Sequence, residues 1–177
     1  MNRHPGGEEQ TLHLLENIEL KKGMEVLDLG AGEGETVRLL KSFGLNACGV
    51  DLFPRSSDVQ EGDFLNLKYA SESIDLCISQ CAFFISRDQA KVVSECWRVL
   101  KKGGYLLVSD LDPGDLAEMI ERTGFTILHR EDQTALWRTY YIEAIWNDSF
   151  CCEDYKLLQK EYKGRKIRYT MVIGRKE

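Results

Sequence analysis

An apolar run, Val26-Leu27-Asp28-Leu29, leads directly into glycines at alternate positions, Gly30, Gly32 and Gly34, and a helical pattern begins at the next residue. Few arrangements accept that order. A strand that ends in glycines and is followed at once by a helix is a βα turn, where the backbone approaches a ligand closely and the helix amino end points at it. Seventeen positions after Gly34, a second apolar run, Ala47-Cys48-Gly49-Val50, ends in Asp51. A carboxylate at the tip of a second strand accepts both hydroxyls of a ribose. Loop and acid together predict a site for an adenosine-containing cofactor.

The spacing of the glycines separates cofactor classes. A dinucleotide fingerprint reads G-x-G-x-x-G and seats a pyrophosphate on the helix. Here the third glycine arrives one residue early, and Glu33 stands between the second and the third. A carboxylate repels a pyrophosphate and suits a cation. The stretch resembles the first motif of the class I (Rossmann-like) S-adenosylmethionine-dependent methyltransferases: an acidic residue, an apolar residue and G-x-G-x-G, at Asp28, Leu29, Gly30, Gly32 and Gly34. Three later segments match that family in order. They are Gly62-Asp63-Phe64 after the third strand, the fourth strand from Ser73 to Cys81, and the helix, basic Gly-Gly turn and fifth strand from Glu95 to Val108.

The resemblance covers roughly residues 24 to 125 and points to the small-molecule branch typified by ubiquinone and menaquinone biosynthesis. It implies S-adenosyl-L-methionine as cofactor and S-adenosyl-L-homocysteine as product. It carries the cofactor-binding role to Asp28, Gly30, Ala31, Gly32, Gly34, Asp51, Leu52, Asp63, Phe64 and Gln80. It also implies that the last two strands form an antiparallel hairpin at the sheet edge, and that an N-terminal segment folds over the cofactor as a lid. One departure is the tip of the fourth strand, Gln80-Cys81-Ala82-Phe83, which lacks the Asn/Asp-Pro-Pro-Tyr motif that positions a planar amino group. This argues against a nucleobase or amide-nitrogen substrate.

Strand and helix patterns alternate along the chain, which predicts one sheet with helices on both faces. Strands are expected at 25–29, 47–51, 59–62, 73–79, 105–109, 125–129 and 167–173, and helices at 11–18, 35–43, 87–101, 116–122, 134–147 and 154–162. Leu12, Leu15 and Ile18 are expected to face the core from the first helix, Val37, Leu40 and Phe43 from the second, and Ala90, Val93, Trp97 and Leu100 from the third. The fold class that follows is a three-layer αβα sandwich with a mostly parallel seven-stranded sheet and an antiparallel last strand. Residues 1–177 form a single domain in this reading: a lid at 1–20, a cofactor-binding core at 24–125 and C-terminal helices and edge strands at 126–177. Asp63 follows Asp51 by only twelve positions, which include Pro54, Ser56 and Ser57. A crossover with its helix normally needs about that length for itself. The second crossover helix is therefore expected to be shortened or missing, which opens one sheet edge to a partner chain, as in a homodimer, or widens the adenine pocket.

Composition limits the partners. The net charge of −6 argues against a nucleic-acid groove. The Lys/Arg-rich segment 156–176 reads as a solvated helix and strand. No apolar run approaches the ~20 residues that span a bilayer, and the polar start has no signal-peptide pattern. Six irregularly spaced cysteines fit a reducing, cytoplasmic setting. Cys81 and the pair Cys151-Cys152 are soft donors of the kind that bind trivalent arsenic, but ordinary thiols are favoured and no metal site is expected.

Methyl transfer is an in-line displacement at a sulfonium carbon. The cofactor carries the reactivity, and the protein supplies placement and electrostatics. A missing triad is therefore no evidence against catalysis. A base helps only if the acceptor is a hydroxyl or thiol. The candidates are His4, in the lid, and Asp110, after the fifth strand. For Asp110 the competing role is capping a loop. His13 reads as surface and His129 as structural. Tyr140, Tyr141 and Trp146 could line an acceptor pocket, but Trp137, Tyr141 and Ile145 equally form a core stripe. The alternative function is a non-catalytic module that binds the cofactor or docks a partner.

Overall fold

The computed structural model describes residues 4–86, 88–112, 114–147 and 168–177. The helices are α1 (Gly7–Leu15), α2 (Glu35–Ser42), α3 (Gln89–Val99), α4 (Leu116–Arg122) and α5 (Thr134–Trp146). The strands are β1 (Glu25–Leu29), β2 (Asn46–Asp51), β3 (Val59–Glu61), β4 (Ile74–Gln80), β5 (Leu100–Asp112), β6 (Phe125–Asp132) and β7 (Arg168–Lys176), and a short 3-10 turn covers Phe83–Ile85. They form a seven-stranded sheet in the order β3-β2-β1-β4-β5-β7-β6. β1 to β5 pair parallel. β7 runs antiparallel to both β5 and β6. The architecture is the expected mostly parallel α/β sheet. The β6–β7 pair is not a tight hairpin, because α5 lies in the connection.

Alternation along each strand decides which helices cover which face. Leu27, Leu29, Cys77, Leu106 and Val108 point to the side packed by α3 and α4, through Val92, Val93, Cys96, Leu116 and Ile120. Val26, Leu76, Ile78 and Leu107 point to the side packed by α1 and α2, through Leu14, Leu15, Val37 and Leu40. Each fully buried Leu, Ile or Val contributes about 1.5–3 kcal/mol. The same alternation puts Asp28 and Gln80 in register with the α1/α2 face.

Several expectations are corrected. α1 starts at Gly7, not at Thr11, and buries Gln10, Thr11, Leu14 and Leu15, while Leu12 is exposed. Hydropathy could not show this, because two of the buried positions are polar. Phe43 does not face the sheet: α2 ends one residue earlier and the chain is already turning. Ala90 is exposed, and Val92, Val93, Cys96 and Val99 form the buried face of α3 instead.

β5 begins at Leu100, directly after α3, and the Gly103-Gly104 step is a bulge within the strand. A Cβ at Gly104 would stand 2.9 Å from the Lys101 carbonyl oxygen and 3.0 Å from that of Asp75, which only glycine avoids. Lys176 is 6% exposed rather than solvated. The expected helix at 154–162 and Cys151-Cys152 lie outside the described residues. No helix joins β2 to β3, as the short spacing required. The link is tied to α2 by Lys41 Nζ on Asp58 at 2.6 Å, and Leu52 and Phe53 are exposed.

Candidate active site

The chain passes from β1 to β2 and β3 on one side, then returns to place β4 on the other side of β1. The carboxyl ends of β1 and β4 therefore flank the point where the strand order reverses, which is where open α/β sheets bind ligands. The glycine loop occupies it, with φ of 78° at Gly30, 50° at Gly32 and 74° at Gly34. A Cβ on Gly30 would sit 2.3 Å from that of Ala82, in the loop after β4, so the two loops meet only because Gly30 has no side chain. The amides of Gly30 and Ala31 donate to the Val50 carbonyl at 2.8 and 3.2 Å, which locks the loop to the end of β2. α2 starts immediately after the loop, so its positive end faces the crevice.

Asp51 closes the other side. Its carboxylate accepts the Gly32 amide at 2.9 Å and the Phe53 amide at 2.8 Å. Asp28 is 5% exposed, and no described residue hydrogen-bonds its carboxyl. Burial, and then the charge of Asp51, push its carboxyl up to about 7. Two carboxyls beside a helix amino end repel a phosphate and favour a cation with hydroxyls. Asp63 is exposed and accepts the Leu65 amide at 2.8 Å. Phe64 is buried in the α3/α4-side core, 6.4 Å from the ring of Phe83. Leu52 lies on the exposed link.

Gln80, at the end of β4, gathers three segments that are distant in sequence. Its Oε1 accepts from Thr11 of α1 at 3.0 Å and from Thr36 of α2 at 3.5 Å, and its Nε2 lies 3.3 Å from Nδ1 of His4. The N-terminal segment is thus packed on the crevice. The sequence marks Thr11 only as a plausible helix cap and Thr36 not at all, because a hydroxyl inside a helical pattern carries no signal of where it points.

Asp110 is fully buried, with one oxygen on the Phe83 amide and the other on the Leu111 amide, each at 2.7 Å. Burial raises its carboxyl to about 7 against the pull of these amides. These two bonds are those of a loop cap, the role that competes with that of a base at this residue.

Cys81 has a φ of 57°, and its thiol lies 3.2 Å from the Tyr169 hydroxyl. Burial pushes that thiol well up, so it is no thiolate. Trp137 and Tyr141 stack at 5.0 Å and pack with Phe84 and Cys81 against Leu111 and Tyr169. Ile145 and Trp146 are exposed, so the stripe expected on α5 is half-buried at Trp137 and Tyr141 and open at its end. His13 and His129 both meet Glu131, at 2.9 and 3.4 Å, away from the crevice. Among the described residues no cluster could hold a metal ion.

Comparison with known proteins agrees with this geometry. A family described as a methyltransferase domain matches residues 27–108. The chain is 36% identical over 101 residues to malonyl-[acyl-carrier protein] O-methyltransferase 1 of Coxiella burnetii, covering 53% of this chain and 36% of that protein. It is 33% identical over 101 residues to demethylmenaquinone methyltransferase of Thermotoga maritima, covering 50% and 44%. The chain thus spans about a third to a half of the length of such curated relatives. Among solved structures, phosphoethanolamine N-methyltransferase 2 of Haemonchus contortus superposes with a TM-score of 0.73 at 21% identity, over 98% of this chain and 53% of that one. Fold, glycine loop and matched segment agree: residues 27–108 match a methyltransferase domain, and the chain is similar over about half its length to proteins named as methyltransferases.

Proposed function

We propose that this chain is a methyltransferase that moves the methyl group of S-adenosyl-L-methionine to a small-molecule acceptor and releases S-adenosyl-L-homocysteine. The observation that carries this is the pairing of Asp51, bonded to the Gly32 amide at 2.9 Å, with the buried Asp28 across the glycine loop. The residues fit the donor. Asp51 accepts ribose hydroxyls, Gly30, Ala31, Gly32 and Gly34 admit the nucleoside edge-on, and Asp28 faces its cationic end. Asp63, Phe64 and Leu52 border the adenine, and Gln80 lies on the methyl side. The bound sulfonium supplies an activated carbon, and the protein aligns the acceptor with it, which is worth about 7–11 kcal/mol of barrier.

Relatives named for small acceptors, the −6 charge and the absent planar-amine motif support a small metabolite over nucleic acid. Free Cys48, Cys77, Cys81 and Cys96 suit a reducing, cytoplasmic setting. None of the described helices is long and apolar enough to cross a membrane. The open β3 edge, with Leu52 and Phe53 exposed, is where a homodimer would form.

Calorimetric titration tests the reading: donor and demethylated product bind, and NAD⁺ does not. Asp51→Ala should weaken donor binding by about 1.5–3 kcal/mol, the worth of hydrogen bonds to a charged group. Failure of both ligands to bind at high micromolar concentration ends the proposal. Incubation with labelled donor and a metabolite extract separates an enzyme from a module that only binds, because a methylated product excludes the latter.

A further inference from the structure

We propose that His4 takes the proton from the methyl acceptor, oriented for that step by Gln80, and that the acceptor is a neutral small molecule bearing a hydroxyl or thiol. This rests on the methyltransferase reading above. Gln80 ends β4 at the reversal of strand order, and His4 reaches it from 76 positions away. The imidazole is 8% exposed. Its Nδ1 lies 3.3 Å from Gln80 Nε2 and also 3.3 Å from the Pro5 carbonyl oxygen. Burial lowers its pKa more than the Pro5 carbonyl and Glu35 raise it, so the ring stays neutral near pH 7. Among the described residues Glu35, on the first turn of α2, is the one charge acting on the ring; Gln80 beside it, and Thr11 and Thr36 bonded to Gln80, are uncharged.

The Gln80 amide satisfies its neighbours in either of two orientations. In one, Nε2 donates to Nδ1 of His4 while Oε1 accepts from Thr11 and Thr36, which puts the imidazole proton on Nε2. With the amide turned over, Oε1 and the Pro5 carbonyl accept from Nδ1–H and the amide nitrogen donates to the threonine oxygens. Thr11 then donates to the Gly7 carbonyl, 3.4 Å away. The second arrangement leaves Nε2 with a free lone pair. In the reaction Nε2 takes the acceptor's proton as the acceptor oxygen or sulfur bonds to the methyl carbon. The carbon–sulfur electron pair leaves with the donor's sulfur, which becomes a neutral thioether, and the imidazolium afterwards returns its proton to water.

The test needs no acceptor. The chain has three histidines, so labelled imidazoles of the whole protein can be titrated by NMR, with His4→Gln identifying the His4 signal by its loss. S-adenosyl-L-methionine and S-adenosyl-L-homocysteine differ by a methyl group and one positive charge. With the sulfonium bound, the His4 midpoint should lie about one pH unit below its value with the thioether bound. The His13 midpoint, set by Glu131, should not move. At neutral pH the ring nitrogens should report the Nδ1–H tautomer in the donor complex. Equal His4 midpoints in the two complexes, or a ring fixed as the Nε2–H tautomer, overturn the proposal. If neither ligand binds, the methyltransferase reading falls, and the role of His4 falls with it.

Discussion

Asp28 pits stability against ligand binding at a single carboxyl. Its folded pKa of about 7 stands above the ordinary 3.8, so the fold prefers it protonated. That preference stabilises the protein below the ordinary value and is lost as pH rises through about 7. Asp110, also raised to about 7, adds a slope of the same sign. Asp28→Asn should therefore stabilise the chain at pH 8 by about 1–3 kcal/mol in denaturant titration, and should flatten but not abolish the fall in stability between pH 4 and 8. In the unsubstituted protein, donor binding displaces the Asp28 proton, so affinity should drop as pH falls below about 7. Asp28→Asn should remove that drop along with much of the affinity. At this scale the glycines and acids were legible because φ and charge leave a mark in residue type. Thr11, Thr36 and the His4–Gln80 contact were not, since a neutral polar side chain reads the same whether it faces water or a partner.

Among the elements, the abutment of α3 and β5 is the least legible from sequence and is held by the last strand. Lys102-Gly103-Gly104 reads as a helix stop, because a basic Gly-Gly step usually is one. Pairing of Leu100 with Ile74 overrides that local signal and makes the step a bulge. With no loop at Val99–Leu100, the carbonyls at the helix end need a donor. Lys176 provides it, with Nζ 2.8 Å from the Trp97 carbonyl oxygen and 2.7 Å from that of Leu100, above the Trp97 ring at 5.1 Å. Lys176→Met keeps the stem and removes the donor. It should cost about 1–3 kcal/mol in thermal or denaturant unfolding, the penalty of buried carbonyls left unpaired, and leave donor affinity unchanged. A cost below a few tenths of a kcal/mol would mean that water replaces the ammonium. Glu95 is a second tie. It accepts from Arg98 at 2.8 Å and from the Leu67 amide at 3.0 Å, and Arg98 draws its carboxyl down to about 2. Its contribution is present above the ordinary 4.5 and is lost as pH falls through about 2, so Glu95→Gln should destabilise by about 1–3 kcal/mol at pH 7 and much less at pH 2.

Across the whole molecule, the carboxyl edge of the sheet unites segments that the sequence scatters. His4 to Thr11, Gly30 to Gly34, Asp51 to Phe53 and the tip of β4 meet at one reversal of strand order. That reversal was foreseeable from alternating strands and helices. The seating of α1 on β4 was not, because it depends on Gln10 and Thr11 bonding Gln133 and Gln80 across the sheet. Such an assembly makes a prediction for the molecule as a unit. A ligand that binds only the folded crevice stabilises it by about 2.7 kcal/mol at a hundredfold excess over Kd, so amide exchange limited by opening of the crevice should slow by up to ~100-fold. Hydrogen exchange with saturating S-adenosyl-L-homocysteine should show this at residues 30–34, 51–53 and 7–11 together, because the donor closes one crevice between three elements. Gln80→Leu should uncouple them: protection persists at the glycine loop and at Asp51, and is lost over α1. Unchanged protection of α1 in that variant would show that apolar packing of Leu14 and Leu15, and not the Gln80 contacts, ties the N-terminal helix to the site.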